Sequence, residues 1–318
     1  MPPNNALHSD IRMRIGLILF AVCMPLGQAG AEADLGAHVW NHGSEDCAKS
    51  CAPAIEILQA DHDSYILRQN KCVHFEAPFI YVLFGEHTVF VQDTGATADP
   101  SLFPLYDAVQ SLIARRGGRA PTILVTHSHS HSDHTAGDAQ FRGKPGVTLV
   151  EPNTKAVREY FGFMKWPEGL AEIDLGGRTL YAIPAPGHQR ESIAVYDSRT
   201  GWLLTGDTVY PGRLYVRDWR DYRSSIERLV EFARARDVSA VLGTHIEMSR
   251  TGTLFPPGST FQPNEAPLLL SVEELGKLND SLQARDGPQE IAMAKFVVSP
   301  IGLFQRVLSS VLKFIGVR

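Results

Sequence analysis

Val125-Thr126-His127-Ser128-His129-Ser130-His131-Ser132-Asp133-His134-Thr135-Ala136-Gly137-Asp138 is the stretch from which the rest of the chain is read. The apolar run Thr122-Ile123-Leu124-Val125 stops abruptly at four histidines and an aspartate. A strand that delivers imidazoles and a carboxylate into a loop points to a metal site, because neutral imidazole and carboxylate are ordinary ligands of zinc and similar ions. Ligands two residues apart at a strand end can turn toward one ion. The adjacent Asp133-His134 pair must splay, which suits a second ion close by. Counting back from that doublet sets the register His129-x-His131-x-Asp133-His134. His127 is then surplus, expected behind the ligands or facing solvent.

Further ligand-type residues follow in order: Pro186-Gly187-His188, then Leu203-Leu204-Thr205-Gly206-Asp207-Thr208, then Leu242-Gly243-Thr244-His245. Upstream lies Val89-Phe90-Val91-Gln92-Asp93-Thr94-Gly95. These motifs and the histidine cluster, spread from about Tyr65 to His245, resemble the metallo-β-lactamase superfamily. Several motifs in the right order are more specific than any one of them.

The resemblance implies an α/β fold, the four-layered αβ/βα sandwich, with two mixed sheets face to face, helices outside and metals at one sheet edge. It assigns His129, His131 and His188 to one metal and Asp133, His134 and His245 to a second, with Asp207 bridging. Two divalent ions, zinc first and iron or manganese as alternatives, would lower the pKa of a shared water. The resulting hydroxide would attack an ester, thioester or lactone carbonyl. Asp133 is the catalytic candidate that orients this nucleophile and passes its proton to the leaving atom. Asp93 is a candidate partner for a ligand imidazole, fixing its tautomer; its competing role is a turn residue capped by Gly95.

Asp207 narrows the chemistry. The β-lactam-hydrolysing branches generally lack a bridging aspartate there, whereas the glyoxalase II-like thioesterases and the lactonases have one. Tyr210 resembles a tyrosine that lactonases place near the substrate carbonyl, which makes it the second catalytic candidate; simple packing is the competing reading. Arg190, Arg213, Tyr215 and the aromatic segment 160–166 are candidates for the pocket wall. Against a true glyoxalase II, no clear basic glutathione-binding set follows His245.

The 318 residues are 44% apolar, enough for a full core, and the formal charge of −5 gives no reason to expect nucleic acid. The expected partner is a small-molecule substrate. Arg12 and Arg14 precede a short apolar run, 15–24, and small residues at 29–33. That pattern predicts a signal peptide over 1–33, hence export to a periplasm or beyond the cell, with Met13 as an alternative start. Export permits a disulfide among Cys47, Cys51 and Cys72, either Cys47 with Cys51 or Cys72 with one of them.

Four segments are expected: the signal peptide, an N-terminal extension over 34–64, a catalytic domain over 65–260, and a helical extension over 261–318. The extension reads as irregular with one helical patch near 53–60. Thereafter a hairpin at 79–91, a helix at 100–116, strands at 121–126 and 146–150 and a helix at 154–161 are predicted. Two strands divided by Gly176-Gly177, a hairpin at 193–205, a helix at 221–235 and a strand at 238–242 follow. A Pro- and Gly-rich loop near the site is expected at 251–267, and a helix at 271–284. Residues 301–318 read as an amphipathic helix suited to packing on its own domain or a subunit, or to weak contact with a membrane surface.

The leading reading is an exported dinuclear metallo-hydrolase. A β-lactamase, a phosphodiesterase and an iron-dependent redox protein of the same superfamily are the alternatives, and His and Asp ligands by themselves accept iron as well as zinc.

Overall fold

A computed structural model of the chain describes residues 33–117 and 121–302. The expected signal peptide and all but the first residues of the expected tail helix lie outside the described residues.

In chain order the first half contains β1 (Ile55–Asp61), β2 (Ser64–Gln69), β3 (Phe79–Phe84), β4 (Thr88–Gln92), α1 (Leu105–Arg116) and β5 (Thr122–Thr126). Then come α2 (Ser132–Thr135), α3 (Asp138–Phe141), β6 (Val147–Leu149) and α4 (Thr154–Phe161). The second half contains β7 (Ala171–Asp174), β8 (Thr179–Pro184), β9 (Ile193–Asp197), β10 (Trp202–Gly206), β11 (Gly212–Val216) and α5 (Trp219–Arg234). It ends with β12 (Ala240–Gly243), β13 (Leu269–Leu270), α6 (Val272–Gln283), β14 (Ile291–Ala292) and β15 (Phe296–Pro300).

One six-stranded sheet runs β1-β2-β3-β4-β5-β6 and a second runs β13-β12-β10-β9-β8-β7. Both are mixed: β4, β5 and β6 are parallel neighbours, as are β10 and β12, and the other pairs are antiparallel. The alternation of side chains along a strand builds the layers. From β3, Phe79, Tyr81 and Leu83 enter the core between the sheets, where they meet Leu180, Val195, Leu204 and Leu242. The intervening Ile80, Val82 and Phe84 face the other way, toward Leu105, Val109 and Leu112 of α1. On the far side Ala194, Leu203 and Val241 pack with Ile226 and Leu229 of α5 and Leu275 and Leu278 of α6. Helix, sheet, sheet and helix therefore stack as the αβ/βα sandwich. Each fully buried Leu, Ile or Phe in these layers contributes roughly 1.5–3 kcal/mol of transfer free energy.

Three expectations are corrected. The patch near 53–60 is not helical: Ile55–Asp61 is the edge strand β1, paired antiparallel with β2. Its Glu, Leu, Gln and Ala suit a helix, but a tight turn returns the chain as β2, and sheet pairing overrides local propensity. Part of the expected N-terminal extension thus belongs to the first sheet. The segment beyond 261 is not wholly helical either. It contains α6, but also β15, which pairs parallel with β11 and antiparallel with β14 in a small third sheet. The helix expected from residue 100 begins at Leu105, behind Pro104, and Leu102 is 57% exposed.

Cys47 and Cys72 are joined by a disulfide and Cys51 is free and exposed. Among the described residues no helix is long and apolar enough to cross a membrane.

Candidate metal centre and active site

Every motif residue follows a strand. Asp93 follows β4, the histidine cluster follows β5, His188 follows β8, Asp207 follows β10 and His245 follows β12. Backbone hydrogen bonds draw these strand ends together. Ile193 N donates to Ser128 O at 2.9 Å, Phe79 N to Thr244 O at 2.8 Å and Thr94 N to His134 O at 2.7 Å. Two glycines permit the approach. At Gly206, with φ +54°, a Cβ would lie 2.5 Å from Ser128 Cβ, so only glycine brings Asp207 against the histidine loop. At Gly187, with φ +140°, a Cβ would lie 2.4 Å from Tyr222 Cα, so only glycine seats the His188 loop on α5.

The result is two groups of four. His129, His131, His188 and Asp207 have ligand atoms within 4.8 Å of one another, and so do Asp133, His134, His245 and Asp207. Asp207 serves both. Its Oδ2 lies 3.7 Å from His129 Nε2 and 3.5 Å from His188 Nε2, and its Oδ1 lies 3.5 Å from His134 Nε2 and 3.3 Å from His245 Nε2. Asp133 Oδ2 is 3.3 Å from His134 Nε2 and 3.4 Å from His245 Nε2.

These separations fit a cation. Ligands about 2.0–2.1 Å from a tetrahedral ion stand roughly 3.3–3.4 Å apart. The outer nitrogens are already committed. His188 Nδ1 donates to Tyr215 O at 2.8 Å, His245 Nδ1 to Glu76 O at 3.1 Å and His134 Nδ1 to Asp93 Oδ2 at 3.0 Å. Their inner nitrogens turn toward one another across the site. His188 Nε2 is 3.1 Å from His131 Nδ1, and His134 Nε2 is 3.4 Å from His245 Nε2. His129 Nε2 is buried with no hydrogen-bond partner. A buried polar atom without a partner is costly, and a cation in each group of four would give the converging nitrogens a common partner.

Protonation favours the same occupant. Burial, reinforced by the neighbouring imidazoles, holds His129 well below the ordinary histidine range and His131 at about 3. Burial opposes ionisation of Asp133 and Asp207, but the adjacent histidines overcome it and hold both carboxyls well below their usual range. His134 and His245 also resist charging through burial, yet Asp133 and Asp207 raise both. A cation can take over that role from the protons.

Asp93 stands behind the second group. Its backbone is in the left-handed region, φ +70°, an uncommon conformation for a residue with a side chain. Its carboxylate accepts from Ser128 N at 2.7 Å, Ser128 Oγ at 2.9 Å and His134 Nδ1. It thus combines the turn role with the tautomer-fixing role. His127 is buried behind the site: Nδ1 bonds Val150 O at 3.1 Å and Nε2 lies 2.8 Å from Asp138 Oδ1, which leaves neither nitrogen for an ion.

A cavity of about 600 Å³ opens over His131, Asp133, His188, Asp207 and His245. Tyr210, Arg213 and Tyr215 line it, and so do residues 254–259 of the expected loop. Arg190 and the aromatic segment 160–166 do not. Instead Trp166 Nε1 donates to Arg190 O at 3.1 Å, apart from the cavity. Tyr210 is buried, and its hydroxyl donates to the Arg213 carbonyl and lies 3.1 Å from Glu247 Oε2. Lys71, Phe75, Glu76 and Glu247 also line the cavity and were not expected. The first three come from the β2–β3 loop, where nothing in the sequence marks a site. The carbonyls that orient His188 and His245 carry no side-chain signal at all.

The sequence profile of the Metallo-beta-lactamase superfamily matches residues 75–245, just over half the chain. The acyl-coenzyme A thioesterase MBLAC2 of Bos taurus is 27% identical over 219 residues, covering 57% of this chain and 77% of the relative. The hydroxyacylglutathione hydrolase of Brucella ovis is 26% identical over 174 residues, covering 54% of this chain and 64% of the relative. Among solved structures TMB-1, described by its substrate and inhibitor binding, aligns with a TM-score of 0.50 at 14% identity over 73% of this chain and 99% of that one, a likeness of fold. With the profile spanning the histidine cluster, His188, Asp207 and His245, and with the sandwich that carries them, the chain belongs to the metallo-beta-lactamase superfamily.

Proposed function

We propose that this protein is an exported, dinuclear metal-dependent hydrolase of thioesters, with esters and lactones as the neighbouring substrate classes. The chain is a hydrolase of its superfamily, as its relatives are. The observation that carries the finer reading is the sharing of Asp207 between two four-residue groups, one oxygen turned to each. His129, His131 and His188 would hold one ion and Asp133, His134 and His245 the other. Divalent ions, zinc first, would supply a nucleophile from water near neutral pH and polarise the scissile carbonyl.

The chain's own residues do the rest. The carbonyls of Tyr215 and Glu76 keep Nε2 of His188 and His245 turned inward. Asp133 lines the cavity as an ionised carboxylate, so it can take a proton from the attacking water and return it to the leaving atom. The choice of thioester follows the relatives, whose names specify acyl-coenzyme A and hydroxyacylglutathione. Export is supported by the charged and apolar pattern of the first 33 residues and by the Cys47–Cys72 disulfide, which an oxidising compartment preserves.

The test is elemental analysis of the purified protein beside a panel of thioesters, aryl esters, lactones, β-lactams and phosphodiesters. Metal-dependent turnover of a thioester is the expected result. Turnover confined to β-lactams or phosphodiesters, or bound iron with no hydrolysis, would overturn the reading.

A further inference from the structure

The cavity wall holds a cation that its protein partners do not satisfy. Lys71, in the β2–β3 loop, lines the cavity yet is only 2% exposed. Its Nζ makes one hydrogen bond, to Phe75 O at 3.2 Å, and among the described residues no carboxylate lies within 4 Å of it. An ammonium carries three donors, so two remain unused.

Most of the surrounding charges are engaged elsewhere, and the Glu76 carboxylate, also on the cavity wall, forms no ion pair with Lys71. Arg68 and Glu265 form a bidentate pair at 2.6 Å on both arms. Glu247 accepts from Arg213 N at 3.0 Å and faces the Tyr210 hydroxyl. The cavity's other Lys or Arg side chain, Arg213, donates to Ser299 at 2.7 Å and pairs with Glu290 at 3.2 Å. Burial, aided by Arg68 and opposed by Glu265, Glu247 and Glu76, lowers Lys71 to about 8, as expected of an ammonium short of counter-charge.

The backbone and Cβ that carry the amine are also held in place. The adjacent Cys72 is bonded to Cys47, and Cys72 N, Val73 N and His74 N all donate to Asn70. Gly43 packs so closely that a Cβ there would lie 2.9 Å from Lys71 Cβ. A buried charge with free donors, rigidly mounted on a cavity wall, is a socket for an anion.

We propose that Lys71 recognises an anionic group, a carboxylate or a phosphate, on the molecule that enters the cavity, and so sets the substrate class as anionic acyl or thiol derivatives. The word substrate rests on the hydrolase reading above; the anion socket does not. Lys71 is a specificity residue and takes no part in bond breaking.

The test uses metal-loaded full-length protein and hydroxamates, which anchor on the ions without reducing the disulfide. Each carries a terminal carboxylate, phosphate monoester or uncharged amide on spacers of increasing length, and Kd is measured by calorimetry. In the wild type one anionic series should bind about tenfold or more tighter than the amide at its best spacer, the size of a charge-assisted hydrogen bond. The better of the two arms identifies carboxylate or phosphate. Lys71→Met should abolish the preference and leave the amide's Kd and the metal content unchanged, while Lys71→Arg should retain much of it. No anionic preference in the wild type at any spacer would overturn the proposal, whether or not Lys71→Met folds. So would an undiminished preference in Lys71→Met. Failure of the hydrolase reading looks different: an intact Lys71-dependent preference with no turnover on the substrate panel.

Discussion

The ligand shell and the cavity wall face each other across the same opening and are built in opposite ways. The shell comes from strand ends, and three of its five imidazoles are braced from behind: His134 by Asp93, His188 by the Tyr215 carbonyl, His245 by the Glu76 carbonyl. The wall comes largely from loops, the β2–β3 turn and residues 254–259, with Arg213 and Tyr215 added from β11. Chemistry that must place charge to within tenths of an ångström sits on the sheets; recognition sits where sequence can vary without disturbing the core. If that division is right, changes in the shell remove turnover and metal together, while changes in the wall alter substrate preference and leave the metal in place.

Asp207→Ala should have the largest effect. It removes the oxygen facing each group of four and leaves four inner nitrogens without their shared counter-charge. Loss of several kcal/mol of charge stabilisation corresponds to a fall in turnover of about a thousandfold or more. Elemental analysis should find bound metal reduced as well. Full metal content with near-normal kcat would break the claim that Asp207 serves both groups.

Asp93→Asn comes next. The amide oxygen can still accept from Ser128, but the amide nitrogen would then face His134 Nδ1 as a donor. That favours a proton on Nε2, the atom turned toward the site. A loss of about 10–100-fold in metal affinity or activity is expected for a partner of this kind. Titration with zinc and parallel kinetics would measure it, and an unchanged affinity would mean that Asp93 is only a turn residue.

The same division explains what the sequence disclosed. Imidazole and carboxylate at strand ends marked the histidine cluster, the family resemblance supplied the set His129 through His245, and the structure gathers all seven residues. The order of strands and helices disclosed a layered α/β domain, and the resemblance made it the sandwich, in which the wholly apolar Phe79–Phe84 feeds two cores. Local propensity misled where pairing decided, as in β1. The wall was legible only in part: Tyr210, Arg213, Tyr215 and the 251–267 loop were expected, whereas Lys71 and Glu76 reach the site only because β2 and β3 turn there. Arg190 and the 160–166 aromatics, which looked suitable by composition, pack elsewhere. The choice among the cysteines depended on where Cys47 meets the Cys72 turn.

Cys72→Ser probes the wall first, through the loop whose Glu76 carbonyl also reaches the shell. Opening a link across 25 residues should cost about 3 kcal/mol of stability through the unfolded chain's regained freedom. Thermal melts in the presence and absence of reductant should show this: wild type falls to the variant's Tm when reduced, and the variant does not shift. Because the bond anchors the loop carrying Lys71, Phe75 and Glu76, KM should rise several-fold with metal content intact. Loss of metal in this variant would show that shell and wall are not separable.

Tyr210→Phe should have the smallest effect and is the sharpest test at the boundary between the two regions. The resemblance to lactonases suggested that its hydroxyl polarises the substrate carbonyl. In the structure the ring packs 5.4 Å from that of His245, but the single phenolic proton is directed to the Arg213 carbonyl and Glu247. Burial, and then Glu247, raise its pKa well above the ordinary tyrosine range, so it has no tendency to ionise. A phenol with its only donor engaged contributes shape to the cavity and a brace to β11. Removing the oxygen should therefore cost about 1 kcal/mol of stability and change kcat by no more than a few-fold, with Glu247 still held by Arg213 N. A fall in kcat of about a hundredfold at unchanged stability would mean that the hydroxyl leaves Glu247 when substrate binds. Tyr210 would then belong with the shell, as the resemblance suggested.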